Sequence, residues 1–234
     1  MRVFRLSALV ATLCLVGWQV QRVQAAPIPW GNPNGTAPGG GFSWANGSND
    51  TNLFGDPIPL ANGLLFNPSN FKASSSGGVP STASDKINVD ITAGAGQQIL
   101  QINILEAGDF GIPVAGPNTS VNVFGTLVTT PLPPSPPGLP LVTPLVVTPG
   151  MPRTAVGNGT WQGIATAVVG PGGVTKVHLA LDNVLQATSD ANTTSFIEKK
   201  VTQAVIIQVI LPEPGTIGML LCGAPLLLRR RRSR

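Results

Sequence analysis

The chain has 234 residues, of which 42% are hydrophobic and only 10% are charged. Its formal net charge of +4 comes from the two ends, because eight of the fourteen basic residues lie before residue 26 or after residue 228. Residues 26–213 hold six basic and ten acidic side chains, a net charge of about −4, which excludes a basic nucleic-acid-binding protein. Both cysteines, Cys14 and Cys222, lie in the terminal segments. The body is therefore expected to fold on its core without disulfides.

Residues 1–25 have the pattern of a secretory signal peptide. Arginines near the start are followed by an apolar run that is too short to span a membrane. Val23 and Ala25 occupy the two positions that a signal peptidase inspects, so cleavage is expected after Ala25, with Ala26 as the next best site. The alternative is an uncleaved N-terminal anchor, which the short apolar run disfavours.

The segment 26–49 is rich in Gly, Pro and Asn, and we interpret it as a partly ordered arm whose aromatic side chains pack against a sheet. Residues 50–211 are predicted to form one antiparallel β-sandwich domain, because short alternating apolar runs stand between turn signals and no long 3.6-residue period occurs. Ser74 to Ser84 is read as a loop, Glu106 to Asp109 as a turn, and Phe124-Gly125 as a bulge. The predicted strands are 64–66, 70–73, 86–92, 98–106, 121–127, 160–169, 174–186 and 195–211.

Residues 130–152 are dominated by proline. Proline removes backbone donors from a sheet, so this segment is excluded from a central strand. A polyproline-type loop or an edge segment that crosses one end of the sandwich is the preferred interpretation. An interdomain linker is the alternative, but the strands after it are too few for a second sandwich.

The one histidine of the chain, His178, stands four residues before Asp182 on an alternating strand, so both face the same side. This pair is the best candidate for a hydrolytic site. No nucleophile motif such as GxSxG accompanies it, and an ordinary strand position is the preferred interpretation. A histidine or cysteine zinc site is excluded by the residue counts of the body, and no cofactor motif occurs.

Four carboxylates, Asp90, Glu106, Asp109 and Asp182, are predicted to lie at strand ends or turns, where oxygen ligands for calcium could converge. They match no EF-hand or nonapeptide spacing, so solvated turn carboxylates are the alternative and no metal is assigned.

Carbohydrate binding is the main alternative function, with Trp30, Trp44 and Trp161 as candidate platforms, Trp44 and Trp161 foremost. The chain has no tyrosine, and buried packing is the preferred role for these rings because tryptophan is usually largely buried.

The last segment, 212–234, has three parts in a fixed order. Pro212, Glu213 and Pro214 come first, an apolar run follows, and Arg229, Arg230, Arg231 and Arg232 stand near the end. The prolines end the preceding element, the apolar run predicts a short hydrophobic helix, and the arginines would stay on the cytoplasmic side of a membrane.

This order resembles the PEP-CTERM sorting signal of exported bacterial proteins. The run is short for a span of about 20 residues and contains Pro225, which suits a processed signal better than a permanent anchor. The resemblance implies export through signal peptidase, transient or permanent insertion of the tail in the inner membrane, and recognition by an exosortase, a membrane transpeptidase. It implies a location at the cell envelope, the cell surface or the extracellular matrix.

Three functions follow as hypotheses. The first is an exported, non-catalytic surface or matrix protein. The second is a polysaccharide-binding module at the envelope, with exopolysaccharide as its partner. The third is a hydrolase, which lacks the expected acid, base and nucleophile residues. Fold alone does not decide among them, and the first is the prediction made here.

Overall fold

The computed structural model describes residues 26–135, 137–170, 172–200 and 205–211. Within these residues all regular structure is β, with no helix, and the strand pairs are antiparallel. The strands in chain order are β1 (Ile28–Pro29), β2 (Gly35–Thr36), β3 (Phe42–Asn49), β4 (Ile58–Leu60), β5 (Gly63–Phe66), β6 (Lys72–Ser76), β7 (Ser81–Ala93), β8 (Gln101–Val114), β9 (Ser120–Pro131), β10 (Leu141–Pro144), β11 (Val146–Thr148), β12 (Gly157–Val168), β13 (Lys176–Thr188), β14 (Thr194–Lys199) and β15 (Val205–Ile210).

These strands form two sheets. The first sheet has the order β1-β3-β7-β13-β9-β10, with β2 also paired to β3. The second has the order β11-β12-β8-β15-β5-β4, and it also contains β14 and β6. Strand β15 pairs with the first half of β8 and β14 with the second half, so β14 and β15 lie end to end along one side of β8.

The buried apolar side chains of both sheets form one cluster between them. Strand β13 shows why: Val177, Leu179, Leu181 and Leu185 are buried on one face, and Asp182 on the other face is exposed. A strand places successive side chains on opposite faces, so an alternating sequence buries one face against the other sheet. The prediction of an all-β, sandwich-like fold is confirmed.

The sandwich begins earlier in the chain than predicted. The stretch taken as part of an arm contains β3, which pairs with β7 from Phe42 to Asn49 around a bulge between Ala45 and Ser48. Trp30 and Trp44 belong to the buried cluster. The predicted boundary at residue 50 is therefore wrong, because strand pairing and core packing already include the preceding segment.

Three local predictions are also wrong. Strand β6 extends to Ser76 and β7 starts at Ser81, so most of the predicted 74–84 loop is sheet. The predicted turn at 106–109 lies inside β8, because β12 and β14 hold it in a continuous ladder on both sides. Phe124-Gly125 forms no bulge with β13, since the register runs through it without a shift.

The proline-rich segment lies at the edges of both sheets, as one of its two interpretations predicted. Strand β10 pairs with β9 at the edge of the first sheet, and β11 pairs with β12 at the edge of the second. Leu145, between β10 and β11, is buried. The segment thus passes from one sheet to the other, in positions where proline removes no central hydrogen bond.

The predicted signal peptide (1–25, with Val23 and Ala25) and the predicted sorting segment (212–234) lie outside the described residues. Ala26, the alternative cleavage position, is exposed at the start of the described chain. No helix in the described ranges is long and apolar enough to cross a membrane.

Candidate functional site

Three polar side chains occupy inward-facing positions where the strand pattern calls for apolar ones. Glu106 follows Ile102 and Ile104 on the inner face of β8. Asn183 lies on the inner face of β13, in the first sheet, and Lys199 ends β14, in the second. All three side chains therefore point into the space between the sheets, and none of the three residues is more than 3% exposed.

These side chains form one hydrogen-bonded cluster, which we call the KEN cluster (Lys199, Glu106 and Asn183). Lys199 Nζ lies 2.7 Å from Glu106 Oε2. Asn183 Nδ2 donates to both carboxylate oxygens of Glu106, at 2.7 Å each. One carboxylate thus contacts an amine on its own sheet and a carboxamide on the facing sheet. Charge-assisted hydrogen bonds of this length are among the stronger ones in proteins.

Aromatic rings surround the lysine end of the cluster. Lys199 Nζ lies 5.1 Å from the centres of the Phe71 and Trp161 rings and 5.5 Å from that of Phe54. The Trp161 indole is fixed in turn, because its Nε1 donates to the Glu198 carbonyl oxygen at 3.2 Å. Ring faces attract a cation, and they also keep water away from the amine.

Two glycines make room for the cluster. A Cβ at Gly125, on β9 opposite Asn183, would lie 2.8 Å from Asn183 Nδ2 and 2.8 Å from the Asp182 carbonyl oxygen. A Cβ at Gly108 would collide with the Trp161 ring and the Glu198 carbonyl. Any larger residue at either position would displace a side chain that lines the cluster.

A buried carboxylate positions Phe54, one of the three rings. Asp85, at the start of β7 and 3% exposed, accepts backbone N–H bonds from Thr51 at 2.8 Å, Leu53 at 2.6 Å and Phe54 at 3.1 Å. These bonds satisfy the loop amides that no strand partner reaches. Asp85 therefore fixes the loop that delivers Phe54 to the core, where Phe54 also packs edge-on against Phe71.

Burial acts directly on the charge of Lys199. Burial lowers the pKa of the Lys199 ammonium below its usual value of 10.5, and the nearby Glu106 carboxylate opposes that shift. A buried lysine with a lowered pKa can act as a nucleophile, and a carboxylate in contact with it can accept the proton. The cluster therefore combines an amine, a proton acceptor and a carboxamide in one dry site.

Asn183 leaves one hydrogen-bonding atom unused. Its Oδ1 is buried and has no hydrogen-bond partner among the described residues. Buried acceptors are normally paired, and each exception calls for an explanation. A half-turn that exchanges Nδ2 and Oδ1 would place this oxygen against the Glu106 carboxylate oxygens, so the bonds to Glu106 fix the orientation of the carboxamide.

His178 lies on the outer face of β13 and has a partner on the neighbouring strand. Its Nδ1 lies 2.8 Å from Asp90 Oδ1 on the neighbouring strand β7, where His178 and Asp90 are register partners. Asn46 Nδ2 donates to the other oxygen of Asp90 at 3.0 Å, and Lys176 Nζ lies 3.8 Å from it. Asp182 is exposed further along β13. The hydrolytic alternative needed His178 beside Asp182, whereas the structure pairs His178 with Asp90, since cross-strand neighbours lie closer than residues four apart on one strand.

The four calcium candidates do not come together. Asp90 is held on the outer face of the first sheet, and Asp182 lies exposed there. Glu106 is inside the core, and Asp109 is on the outer face of the second sheet, 3.7 Å from Lys200 Nζ. No three His, Cys, Asp or Glu side chains in the described part of the chain are grouped as a metal site would require. The predicted placement of Glu106 and Asp109 at a turn is wrong, because β8 continues through both.

The three candidate tryptophans are not surface platforms. Trp30, Trp44 and Trp161 are all buried, the last completely. Trp30 Nε1 donates to Asn49 Oδ1, and Trp44 Nε1 donates to the Asn32 carbonyl. A sugar can stack only on an exposed ring face, so Trp44 and Trp161 do not serve the carbohydrate-binding alternative, and the preferred interpretation of buried packing is confirmed.

An open groove of about 490 Å³ lies on the second sheet, next to the lysine end of the cluster. Two exposed ion pairs stand along it, Lys72–Glu198 at 2.9 Å and Lys200–Asp109 at 3.7 Å. Phe71 and Lys199 also line the groove, so it leads from the surface toward the cluster.

The sequence contains a local signal for this cluster. Glu106 is in phase with Ile102 and Ile104, and Asn183 is in phase with Leu181 and Leu185. A polar residue in the buried phase of an alternating strand is either a mistake in the strand assignment or a member of a buried polar site.

Comparison with known proteins adds no identification. No protein-family model matches this chain, and no curated protein matches it significantly. The described residues thus define an all-β, sandwich-like protein with a charged cluster enclosed between its sheets.

Proposed function

We propose that this chain is an exported, non-catalytic structural protein of the cell surface or extracellular matrix, sorted by its C-terminal segment. Two sequence features support export and this location. Residues 212–234 resemble a PEP-CTERM signal, and residues 1–25 have the pattern of a signal peptide. The partners that follow are signal peptidase, an exosortase and, before processing, the inner membrane.

One observation supports the proposal of a structural protein. The KEN cluster connects the two sheets through their shared core, with Asn183 from the first sheet and Glu106 and Lys199 from the second. A surface module must keep its fold outside the cell, and exported domains often use disulfides for this. The cysteines of this chain lie only in its two terminal segments. The KEN cluster joins the two sheets within a body that has no cysteine.

The experiment is fractionation of the native host that expresses the protein with an internal tag, followed by mapping of both ends of the mature chain. We expect the wild-type protein in the envelope or outside the cell, with an N terminus near Ala26 and a C terminus near Pro212. Glu213→Ala is expected to stop the processing of the tail. Glu198→Ala, the same change on the surface of the body, serves as its control.

Two results would contradict the proposal. One is a wild-type chain that stays in the cytoplasm with residues 1–25 intact. The other is identical processing and location for wild type and Glu213→Ala, which would remove the sorting role of the triplet.

A further inference from the structure

The KEN cluster is unusual for a core because it is charged, enclosed and incompletely paired. Lys199 and Glu106 side chains are fully buried, and moving two such charges out of water is unfavourable unless their geometry compensates. Asn183 adds a carbonyl oxygen without a donor. An apolar trio would fill the same space without these penalties, so the arrangement suggests chemistry between its members.

We propose that Lys199 and Asn183 react in the folded protein to form an intramolecular amide bond between Nζ and Cγ, with Glu106 transferring the protons. The product is an isopeptide cross-link between β14 and β13, that is, between the two sheets. It is a covalent modification of the chain by its own residues, and it does not depend on where the protein is located.

The positions of the three groups suit this reaction. Lys199 Nζ and Asn183 Nδ2 each lie 2.7 Å from the same oxygen, Glu106 Oε2, so the two nitrogens cannot be further apart than twice that distance. A proton-transfer group must be within hydrogen-bond reach of both atoms that exchange a proton, and Glu106 is. Because the fold holds the reacting groups together, the reaction is intramolecular and gains the corresponding rate advantage.

The surroundings also favour the reactive form of the amine. Only a neutral amine carries the lone pair that attacks a carbonyl carbon. Transfer of a proton from Lys199 to Glu106 removes both charges from a low-dielectric site. Burial also lowers the pKa of Lys199, which favours the same neutral amine. The rings of Phe54, Phe71 and Trp161 keep out the water that would stabilise the ion pair.

The step balances without any other reactant. Lys199 gives one proton to Glu106, and its neutral Nζ attacks Cγ of Asn183. The electron pair of the C=O bond moves to Oδ1 as Cγ becomes tetrahedral, and Nδ2 stays within hydrogen-bond reach of Glu106. Glu106 then carries a proton from Nζ to Nδ2, the Cγ–Nδ2 bond breaks, and the C=O bond re-forms. One neutral ammonia leaves, and Glu106 keeps the proton that it first took from Lys199.

The groove beside the lysine end gives the ammonia a short path to solvent, since Phe71 and Lys199 line both the groove and the cluster. After reaction, Asn183 Oδ1 belongs to the new amide, and Glu106 remains beside it as a hydrogen-bonding partner. The reaction thereby removes the buried charge pair.

The test is mass spectrometry of a tryptic digest of the full-length purified chain. Trypsin cleaves after Lys176, Lys199 and Lys200, with no lysine or arginine between 177 and 198, and it does not cleave after an acylated lysine. We expect peptide 177–200, uncleaved at Lys199 and lighter than its sequence mass by one ammonia, about 17 Da. Fragmentation should locate the bond between Asn183 and Lys199.

A peptide that ends at Lys199 and has the full sequence mass would overturn the proposal. A peptide that ends at Lys199 but has lost ammonia would do so as well, because a succinimide at an asparagine gives that loss without blocking cleavage.

Variants of the full chain identify the roles of the residues. Glu106→Ala is expected to slow formation of the cross-link roughly 100-fold or more, the range for loss of general acid–base catalysis. Asn183→Asp should lose water instead of ammonia and give a peptide of the same mass as the wild-type product. Lys72→Met, which removes the exposed ion pair with Glu198, should leave the cross-link unchanged.

The wild-type digest decides the proposal even where a variant does not fold. Equal cross-linking in wild type and a folded Glu106→Ala variant would overturn the role of Glu106.

Discussion

The Lys199 ammonium nitrogen lies 5.1 Å from the centre of the Trp161 ring, inside the core. Trp161 belongs to β12 and Lys199 to β14, two strands that flank β8 on opposite sides. Gly108 on β8 lies between them and has no side chain to separate them. A tryptophan that looked like a sugar platform in the sequence is thus one wall of the KEN cluster.

Removal of one charge of the cluster is expected to destabilise the protein strongly. In the Asn183→Leu chain, which cannot form the cross-link, Lys199→Met should lower the free energy of unfolding by about 3–5 kcal/mol, because it leaves the Glu106 carboxylate buried without its cation. Glu106→Gln added to Lys199→Met should recover part of the loss. Urea unfolding measures both.

The matched control for this prediction is Lys72→Met, since Lys72 pairs with Glu198 at the surface. Exposed ion pairs contribute about 0–1 kcal/mol. Equal losses for Lys199→Met and Lys72→Met would show that the buried cluster has no special role in stability.

The pH dependence of stability follows from the lowered pKa of Lys199. Asn183→Leu cannot form the cross-link, so Lys199 stays titratable in that variant. Between the lowered folded pKa and the usual value of 10.5, the unfolded chain binds a proton that the folded chain does not. The free energy of unfolding therefore rises with pH across this window.

The measurement compares Asn183→Leu with Asn183→Leu/Lys199→Met by chemical denaturation from neutral pH to about pH 10. The difference in unfolding free energy between the two variants isolates Lys199, because every other group is shared. We expect the single variant to gain stability relative to the double variant as the pH rises; a constant difference, or one of the opposite sign, would contradict burial as the dominant influence.

Loss of the Asp85 carboxylate is expected to release the loop that carries Phe54. Asp85→Ala leaves the amides of Thr51, Leu53 and Phe54 without their acceptor, and a single unsatisfied buried group already costs about 1–3 kcal/mol. Hydrogen exchange should become faster at residues 51–54, and urea unfolding should show the loss of stability.

Asp56→Ala is the control for that prediction, because Asp56 accepts one backbone bond, from Gly31, at an exposed site. It should change stability by less than about 0.5 kcal/mol, as surface substitutions usually do. If Asp56→Ala lowered the stability as much as Asp85→Ala, the loss in Asp85→Ala could not be assigned to the burial of its carboxylate.

Gly125→Ala is expected to disturb Asn183 directly. The new methyl group would lie 2.8 Å from Asn183 Nδ2, so the carboxamide must leave the position in which it contacts Glu106. Overpacking of this kind typically costs about 1–3 kcal/mol. We also expect less of the cross-linked peptide, measured in the same tryptic digest.

Gly150→Ala provides the comparison, since nothing lies within 4 Å of a Cβ there and its backbone requires no glycine. It should leave both stability and cross-linking unchanged. Unchanged cross-linking in Gly125→Ala would argue against the contact between Asn183 and Glu106 as a requirement of the reaction.

Much of the fold was readable from local pattern. Alternation through Ile87, Val89 and Ile91 predicted β7, and the proline content of residues 130–152 predicted a place outside the sheet centres. These predictions succeed because a two-residue period and the missing N–H of proline are properties of short segments. The errors at residues 74–84 and 106–109 arose where Ser, Gly and Asp suggested turns although neighbouring strands held the backbone in a ladder.

The terminal segments carry their own information, and the expected export and sorting remain predictions from sequence. The chain by itself also determined that the fold is all-β and that its sheets bury one face each, because both follow from the order of polar and apolar residues. His178 shows the limit of prediction from sequence. The face of the strand on which it lies was predictable, but its partner Asp90 lies 88 positions away in the chain.

Only the tertiary structure decided the candidate site. Glu106 is 77 positions from Asn183 and 93 from Lys199, and they meet because β13 of one sheet packs over β8 and β14 of the other. Each of the three residues alone looks like an interruption of an apolar row. The pairing order of the strands turns those interruptions into one cluster, since contact between sheets depends on topology and register, which no single segment of the chain encodes.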